Sequence, residues 1–346
     1  PAMSRVVAVV VTFQPERSRL ARALERLRPQ VAAIVVVDNT DGAQGPVLEA
    51  PTAEGVELIA NGRNLGIGQA QNQGIARARA LGATHVLLMD QDSLAPPRLV
   101  PSLLRTLAAA GAQPPVAVVG PVCRDVKTGA TLALIRHDGW RVRRLRPEPR
   151  GGAVPVDYLP ASGSLIPLGA LDHLGPLRED YFIDRVDVEW CLRARRRGWA
   201  VLVDCGVELQ HDLGRRPVRL LGRTVYVGHD FRAGYHVRNS IAMALRAPIA
   251  LRWRIDQLLK TPLYLVFYTA VAEGGRLRQA RRLLRAVCDG EPIEVDALLF
   301  CPDYTVRAPG TAGIDPARIV DATRRQYLVE VIRAILPASG PRLINR

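Results

Sequence analysis

The sequence predicts an open, mostly parallel α/β sheet flanked by helices, followed by a helical C-terminal region. Three observations carry this. Strand and helix patterns alternate five times in the first third of the chain, and the strands are continuous β-branched runs of the kind buried on both faces. Polar residues stand just past the strands' carboxyl ends, where ligands of such sheets bind.

Residues 6–12 (Val-Val-Ala-Val-Val-Val-Thr) form the first strand. Leu20, Ala23, Leu24 and Leu27 fall at helical spacing within 18–27, and Pro29 stops that helix. A second buried strand over 31–37 ends in Asp38-Asn39-Thr40, and a weaker one covers 56–60. Asn61 to Gly68 then lead into a helix reaching Leu81, closed by Gly82. A strand over 85–89, a helix over 97–110 and a strand over 116–119 complete the alternation.

Residues 140–155, rich in Arg, Pro and Gly, read as a mobile loop or a crossing, and 156–167 as strand, glycine kink, strand. Val188, Cys191, Leu192 and Arg195 then mark a helix ended by Gly198, with Asp184, Asp187 and Glu189 grouped in its first turn. Such acids also complement a helix dipole without further function. Short strands at 200–203 and 207–210 lead into His211. The expected division is a first domain over 1–215 and a basic helical region over 216–346, with helices at 230–245, 261–272 and 317–336.

The formal net charge is +14, and all Lys and Arg residues except Lys127 and Lys260 are arginine. A GC-rich coding bias alone produces that preference. A nucleic-acid partner is not expected, because no helix-turn-helix, zinc-finger or RNP-type pattern occurs and aromatics make up only 5%. Attraction to an anionic membrane surface or to a diphosphate is the remaining reading. The apolar stretch 261–272 is too short to span a bilayer; it suits either a helix lying in a membrane surface or a core or dimer helix, so a homo-oligomer stays open. Five scattered cysteines without Cys-x-x-Cys spacing argue against a zinc site or a disulfide framework. With no signal-type apolar region at 6–11, a cytoplasmic setting is expected.

The strand over 85–89 ends in Asp90-Gln91-Asp92-Ser93. Side chains two apart in an extended chain point the same way, so Asp90 and Asp92 present paired carboxylates suited to Mg²⁺ or Mn²⁺. A solvated turn or an N-cap would use the same residues. His211 could complete a metal shell, tilting preference toward Mn²⁺. Acids at the strand ends, with a second acidic cluster about 95 residues later, suit transfer from a nucleotide-diphosphate donor. Gly-x-Gly-x-x-Gly is absent after the first strand, as is a Walker loop.

Eight stretches in order resemble the inverting family-2-type glycosyltransferases of the GT-A fold, and within them bacterial rhamnosyltransferases of O-antigen and cell-wall polysaccharide synthesis. They are 9–13 (Val-Val-Val-Thr-Phe), 36–39 (Val-Val-Asp-Asn), 64–72 (Asn-Leu-Gly-Ile-Gly-Gln-Ala-Gln-Asn), 89–93 (Met-Asp-Gln-Asp-Ser), 161–166 (Ala-Ser-Gly-Ser-Leu-Ile), 182–193, His211, and Tyr235 with Arg238-Asn239. The resemblance implies a mixed, mostly parallel sheet and transfer of L-rhamnose from dTDP-L-rhamnose, with inversion, to a glycan or lipid-linked saccharide acceptor. It implies Thr12, Asp38, Asn39, Asn64, Gly66, Asn72, Asp90, Gln91 and Arg238 as nucleotide-sugar contacts, Asp38 reading the pyrimidine and Arg238 pairing with the diphosphate. Asp92 and His211, with Asp90, would hold Mg²⁺ or Mn²⁺. Asp187 would be the general base, Glu189 would position it or the acceptor, and Ser162, Gly163, Asp184 and Trp190 would border the sugar and acceptor. Arg185 departs from the aromatic residue common at its place. A UDP-sugar galactofuranosyl- or other hexosyltransferase, and a non-catalytic carbohydrate-binding module, are the alternatives. The protein is expected in the cytoplasm, peripheral on the inner face of the plasma membrane.

Overall fold

The structure, a computed structural model, describes residues 4–40, 42, 55–148, 152–211, 216–220, 223–227 and 229–289. The chain divides into two compact units: the first runs to Val227 and includes Pro248–Ala250, and the second comprises Gly228–Ala247 and the chain from Leu251 onward.

The first unit holds β1 (Val6–Thr12), α1 (Arg17–Leu27), β2 (Ala33–Asp38), β3 (Val56–Ala60), α2 (Ile67–Ala80), β4 (His85–Asp90), α3 (Leu99–Ala109) and β5 (Val116–Asp125). These follow the predicted alternation within a residue or two, except that β5 runs on well past residue 119. The reason is burial. All seven residues of β1 are buried, and each Val enclosed there is worth about 1.5–3 kcal/mol, while α1 turns Leu20, Ala23, Leu24 and Leu27 inward.

The eight-stranded sheet has the order β3-β2-β1-β4-β9-β5-β10-β8, where β8 is Ala153–Pro155, β9 is Ser164–Pro167 and β10 is Ala200–His211. Strands β1 to β5 and β10 run one way; β9, between β4 and β5, and β8, at the edge, run the other. The sheet is therefore mixed and mostly parallel, as expected. Helices α4 (Leu168–Leu174) and α5 (Val186–Arg196) complete the unit, with β11 (Arg216–Leu220) pairing antiparallel to β12 (Arg223–Val227).

Three expectations are corrected. The described part of 140–155 is not loop throughout: it contributes β7 (Arg141–Leu145), which pairs with β6 (Leu134–Asp138), and edge strand β8. Of 156–167 only β9 is a strand, and the predicted glycine kink is the turn just before it, where Gly163 takes φ +83° and any side chain would run into Pro121 and Leu209. The two short strands before His211 are one strand with a bulge between Asp204 and Glu208. Asp204 holds that bulge by accepting from Gly206 N at 2.8 Å and Ser102 Oγ at 2.7 Å.

The second unit packs α6 (Asp230–Arg246), α7 (Leu251–Ala270) and α8 (Arg276–Asp289) around Ala233, Val237, Ile241 and Leu283. The predicted apolar helix 261–272 is the second half of α7. Among the described residues no helix is long and apolar enough to cross a membrane. The predicted helix 317–336 lies outside the described residues.

Candidate active site

Sheet register builds the site. Pairing of β1 sets Thr12 opposite Asp38 and Val11 opposite Asp90, so three parallel strands deliver polar residues to one edge. Pairing of β10 with β5 sets His211 opposite Asp125 at the end of the sheet, and a bridge between Leu94 and Gln210 ties the Asp90–Ser93 turn to β10. His211, far away in sequence, thereby reaches that turn.

Asp38 is buried, and one of its oxygens is saturated. Oδ1 accepts from Thr12 Oγ1 at 2.8 Å, Thr40 Oγ1 at 2.7 Å and Thr40 N at 3.1 Å. Oδ2 has no hydrogen bond among the described residues, and a carboxylate oxygen left over in a largely buried residue is open to a donor brought by a ligand. A pyrimidine N–H is such a donor. Thr40, two residues after Asp38, was not assigned from sequence; its spacing is that of a side chain bonding its own turn.

Other predicted nucleotide contacts serve the frame. Gln91 accepts from Phe13 N at 2.8 Å and donates to Phe13 O at 3.2 Å, pinning the end of β1 to the acidic turn. Asn39 donates to Gly66 O at 3.1 Å and accepts from Asn61 at 2.8 Å, while Asn64 accepts from Gly66 N at 3.0 Å. Asn72 accepts from Leu177 N and donates to Leu177 O and Glu179, clamping the loop after α4 to α2. Gly66, at φ +83°, lies so close to Phe182 that a Cβ would meet its backbone at 2.7 Å, and Ile67 N donates to Phe182 O at 2.6 Å. Arg238 belongs to the second unit, where it donates to Asn239 Oδ1 and lies 5.1 Å from the centre of the Tyr235 ring.

Asp90, Asp92 and His211 each place a ligand atom within 4.8 Å of the others'. Two carboxylates and an imidazole are a fitting donor set for Mg²⁺ or Mn²⁺. His211 Nε2 faces Asp90 Oδ2 at 3.7 Å, and Nδ1 is 2.9 Å from the fully buried Ser93 Oγ. Ser93 Oγ lies 2.9 Å from Ser162 Oγ, which accepts from Asp90 N at 3.2 Å. These hydroxyls fix the imidazole so that Nε2, the nitrogen on the carboxylate side, is the one presented to an ion, the usual outer support of a metal-binding His. Ser162 thus backs the acidic turn; Ser93, quoted in the motif but unassigned, was missed. Cys123 lies near Asp90, and burial, with that negative charge, pushes its thiol up to about 12.

Asp187 opens α5. Its Oδ1 accepts from Val188 N at 2.8 Å and its Oδ2 from Ala161 N at 3.3 Å. Burial raises its carboxyl above the ordinary range, those two amides partly oppose the rise, and the charges of Asp184 and Asp90 add to it. Asp184 lies outside the helix in a left-handed conformation at φ +64°, followed by Arg185 at φ +67°; strain of this kind concentrates at functional sites.

Two predicted site residues face the core instead. Glu189 is fully buried and pairs with Arg193 at 2.9 Å; Arg193 also donates to Leu174 O and Pro176 O, so the pair ties α5 to the 174–176 turn. Trp190 is buried, with its indole N–H donating to Gly175 O at 2.9 Å. Both side chains are thus engaged in packing α5 against the 174–176 turn. Only the i,i+4 spacing of Glu189 and Arg193 hinted at this pairing.

With this geometry in hand, the family model described as glycosyltransferase like family 2 matches residues 4–223. The chain belongs to glycosyltransferase family 2. It is 28% identical over 294 residues to the dTDP-rhamnosyl transferase RfbF of Shigella flexneri, covering 83% of this chain and 95% of that protein. It is also 28% identical over 287 residues to the N-acetylglucosaminyl-diphospho-decaprenol L-rhamnosyltransferase of Mycobacterium tuberculosis, covering 71% of this chain and 90% of that one. The crystal structure of S. aureus TarS 1-349 in complex with UDP superposes with a TM-score of 0.52 at 12% identity, over 83% of this chain and 80% of that one. The fold is therefore GT-A, and this family-2 enzyme is a glycosyltransferase that resembles rhamnosyltransferases.

Proposed function

We propose that this glycosyltransferase moves L-rhamnose from dTDP-L-rhamnose to a hydroxyl of a glycan or lipid-linked saccharide, inverting the anomeric centre. The donor assignment is supported by similarity to a dTDP-rhamnosyl transferase, and the acceptor class by similarity to an enzyme whose name specifies a diphospho-decaprenol sugar. An acceptor on lipid goes with a peripheral enzyme on the inner face of the plasma membrane. The single observation that carries the mechanism is that Asp187 and Asp90 are tied to adjacent residues, Asp187 accepting from Ala161 N at 3.3 Å and Asp90 N donating to Ser162 Oγ at 3.2 Å, which supports a base beside the Asp90, Asp92 and His211 cluster.

Asp187 accepts the proton of the acceptor hydroxyl as that oxygen attacks the anomeric carbon. The bond from that carbon to the diphosphate breaks, and dTDP leaves with the electron pair. Burial favours the protonated carboxyl that results, so the same desolvation makes Asp187 the stronger base. Asp38 Oδ2 receives the pyrimidine N–H, and Asp184 borders the acceptor. Asp90, Asp92 and His211 would hold Mg²⁺ or Mn²⁺, and such an ion would supply positive charge against that developing on the leaving diphosphate.

A thermal-shift titration with dTDP, UDP, GDP and CDP, each with and without Mn²⁺, tests the reading. Binding to the folded state at a hundredfold excess over Kd stabilises by about 2.7 kcal/mol. A Mn²⁺-dependent shift with dTDP, followed by turnover of dTDP-rhamnose, is the expected result. No shift with any nucleotide refutes it.

A further inference from the structure

Helix α7 wears its apolar side outward. Its exposed positions are Leu251, Ile255, Leu259, Pro262, Leu263 and Val266, ending at Ala270, without one charged residue among them. At about 100° per residue they fall within an arc of about 120°, a stripe about 30 Å long. Leu259 and Val266 are each 71% exposed and Leu263 66%, values foreign to a core helix. The opposite side, with Trp253, Gln257, Thr261, Tyr264, Leu265 and Tyr268, is buried or packs within the unit. Among the described residues, the outward stripe is thus additional to the packing of the three helices.

Charge identifies what lies against it. On α7 itself Lys260 is neutralised by Asp256 at 2.7 Å, so the unbalanced positive charge comes from Arg252 beside the stripe and from α8, which carries Arg276, Arg278, Arg281, Arg282 and Arg285 with no acid before Asp289. Leu277 and Leu284, 65% and 56% exposed, stand among those arginines. Apolar residues edged by cations suit the boundary between acyl chains and anionic head groups, each basic residue near such a surface contributing about 1 kcal/mol. A second copy would bring two strongly basic surfaces together at a like-charge cost.

We infer that α7, with the arginines of α8, is a membrane-surface element that seats the second unit in an anionic leaflet without crossing it. This deepens the peripheral placement proposed above and rests on that reading only for which membrane is meant.

The test is flotation of the full chain, without donor or acceptor, on phosphatidylcholine vesicles with and without phosphatidylglycerol, at low and high salt. The wild type should float with the anionic vesicles at low salt and at least tenfold less with the neutral ones. Leu259→Glu with Val266→Glu should lower the anionic partition at least tenfold while the circular dichroism spectrum and the dTDP thermal shift stay unchanged. Replacing Arg278, Arg281 and Arg285 by Gln should remove most of the salt dependence. Absence of flotation by the folded wild type overturns the inference, as does a double variant that floats like wild type. A wild-type dimer in sedimentation that the same double variant splits, without lipid binding, also overturns it, in favour of a second copy on the stripe. Because the dTDP shift is read on the same proteins, failure of the membrane element is distinguishable from failure of the transferase reading.

Discussion

Asp187→Asn separates chemistry from stability at one side chain. Removing a positioned general base costs about 10²- to 10⁴-fold in kcat, or about 2.7–5.4 kcal/mol of barrier. Stability should move the other way with pH. Burial raises the native carboxyl above its unfolded value, so the protonated form is the one the fold favours. That contribution is complete below the ordinary carboxylate range and is lost as pH rises through the raised native value. The amide of the variant cannot ionise and escapes that loss. The variant keeps the 2.8 Å bond from Val188 N but gives up the 3.3 Å one from Ala161 N, a constant cost of about 0.5–1.5 kcal/mol. The Tm of the variant minus that of the wild type should therefore climb as pH rises above the ordinary carboxylate range. Paired denaturation scans and initial rates on dTDP-rhamnose provide the assay. A kcat within tenfold of wild type refutes the base; a Tm difference that falls with pH refutes the desolvation argument.

Ser93→Ala removes the hydroxyl at His211 Nδ1 and should weaken Mn²⁺ binding about 10- to 100-fold by titration calorimetry, with the dTDP affinity measured in EDTA unchanged. Asp38→Ala leaves the pyrimidine N–H unmatched and should weaken dTDP binding by about 1.5–3 kcal/mol, read as a lost thermal shift; an unaltered shift would move base recognition elsewhere. EDTA should abolish turnover and Mn²⁺ restore it. Gly68→Ala drives a Cβ into the carbonyl of Arg178, so it should lower Tm by several degrees and loosen the 178–185 loop to protease; unchanged Tm and digestion would count against that packing.

Much of the fold was legible because buried parallel strands need continuous apolar runs, and those of β1, β2 and β4 are unbroken. Residues 134–155 were not legible: the arginine-rich β6–β7 hairpin is largely solvent-facing, so it carries no apolar signal. The two acidic clusters were visible from their spacing, since period two on a strand and the first turn of a helix are local rules. The partners of those acids were not. Glu189 looked as available as Asp187 until packing gave it Arg193 and a fully buried position, while Asp187, desolvated but without a cation among the described residues, kept two amides as partners.

By itself, the sequence determined the alternation of elements, the family and the residue types that gather at the strand ends, because these depend on periodicity and on neighbours in the chain. Only the tertiary structure decided which of them meet. Strand order and register are set by contacts between distant segments, and it is they that carry His211 to Ser93 and Asp90, leave Asp38 Oδ2 without a partner among the described residues, and turn the apolar side of α7 outward.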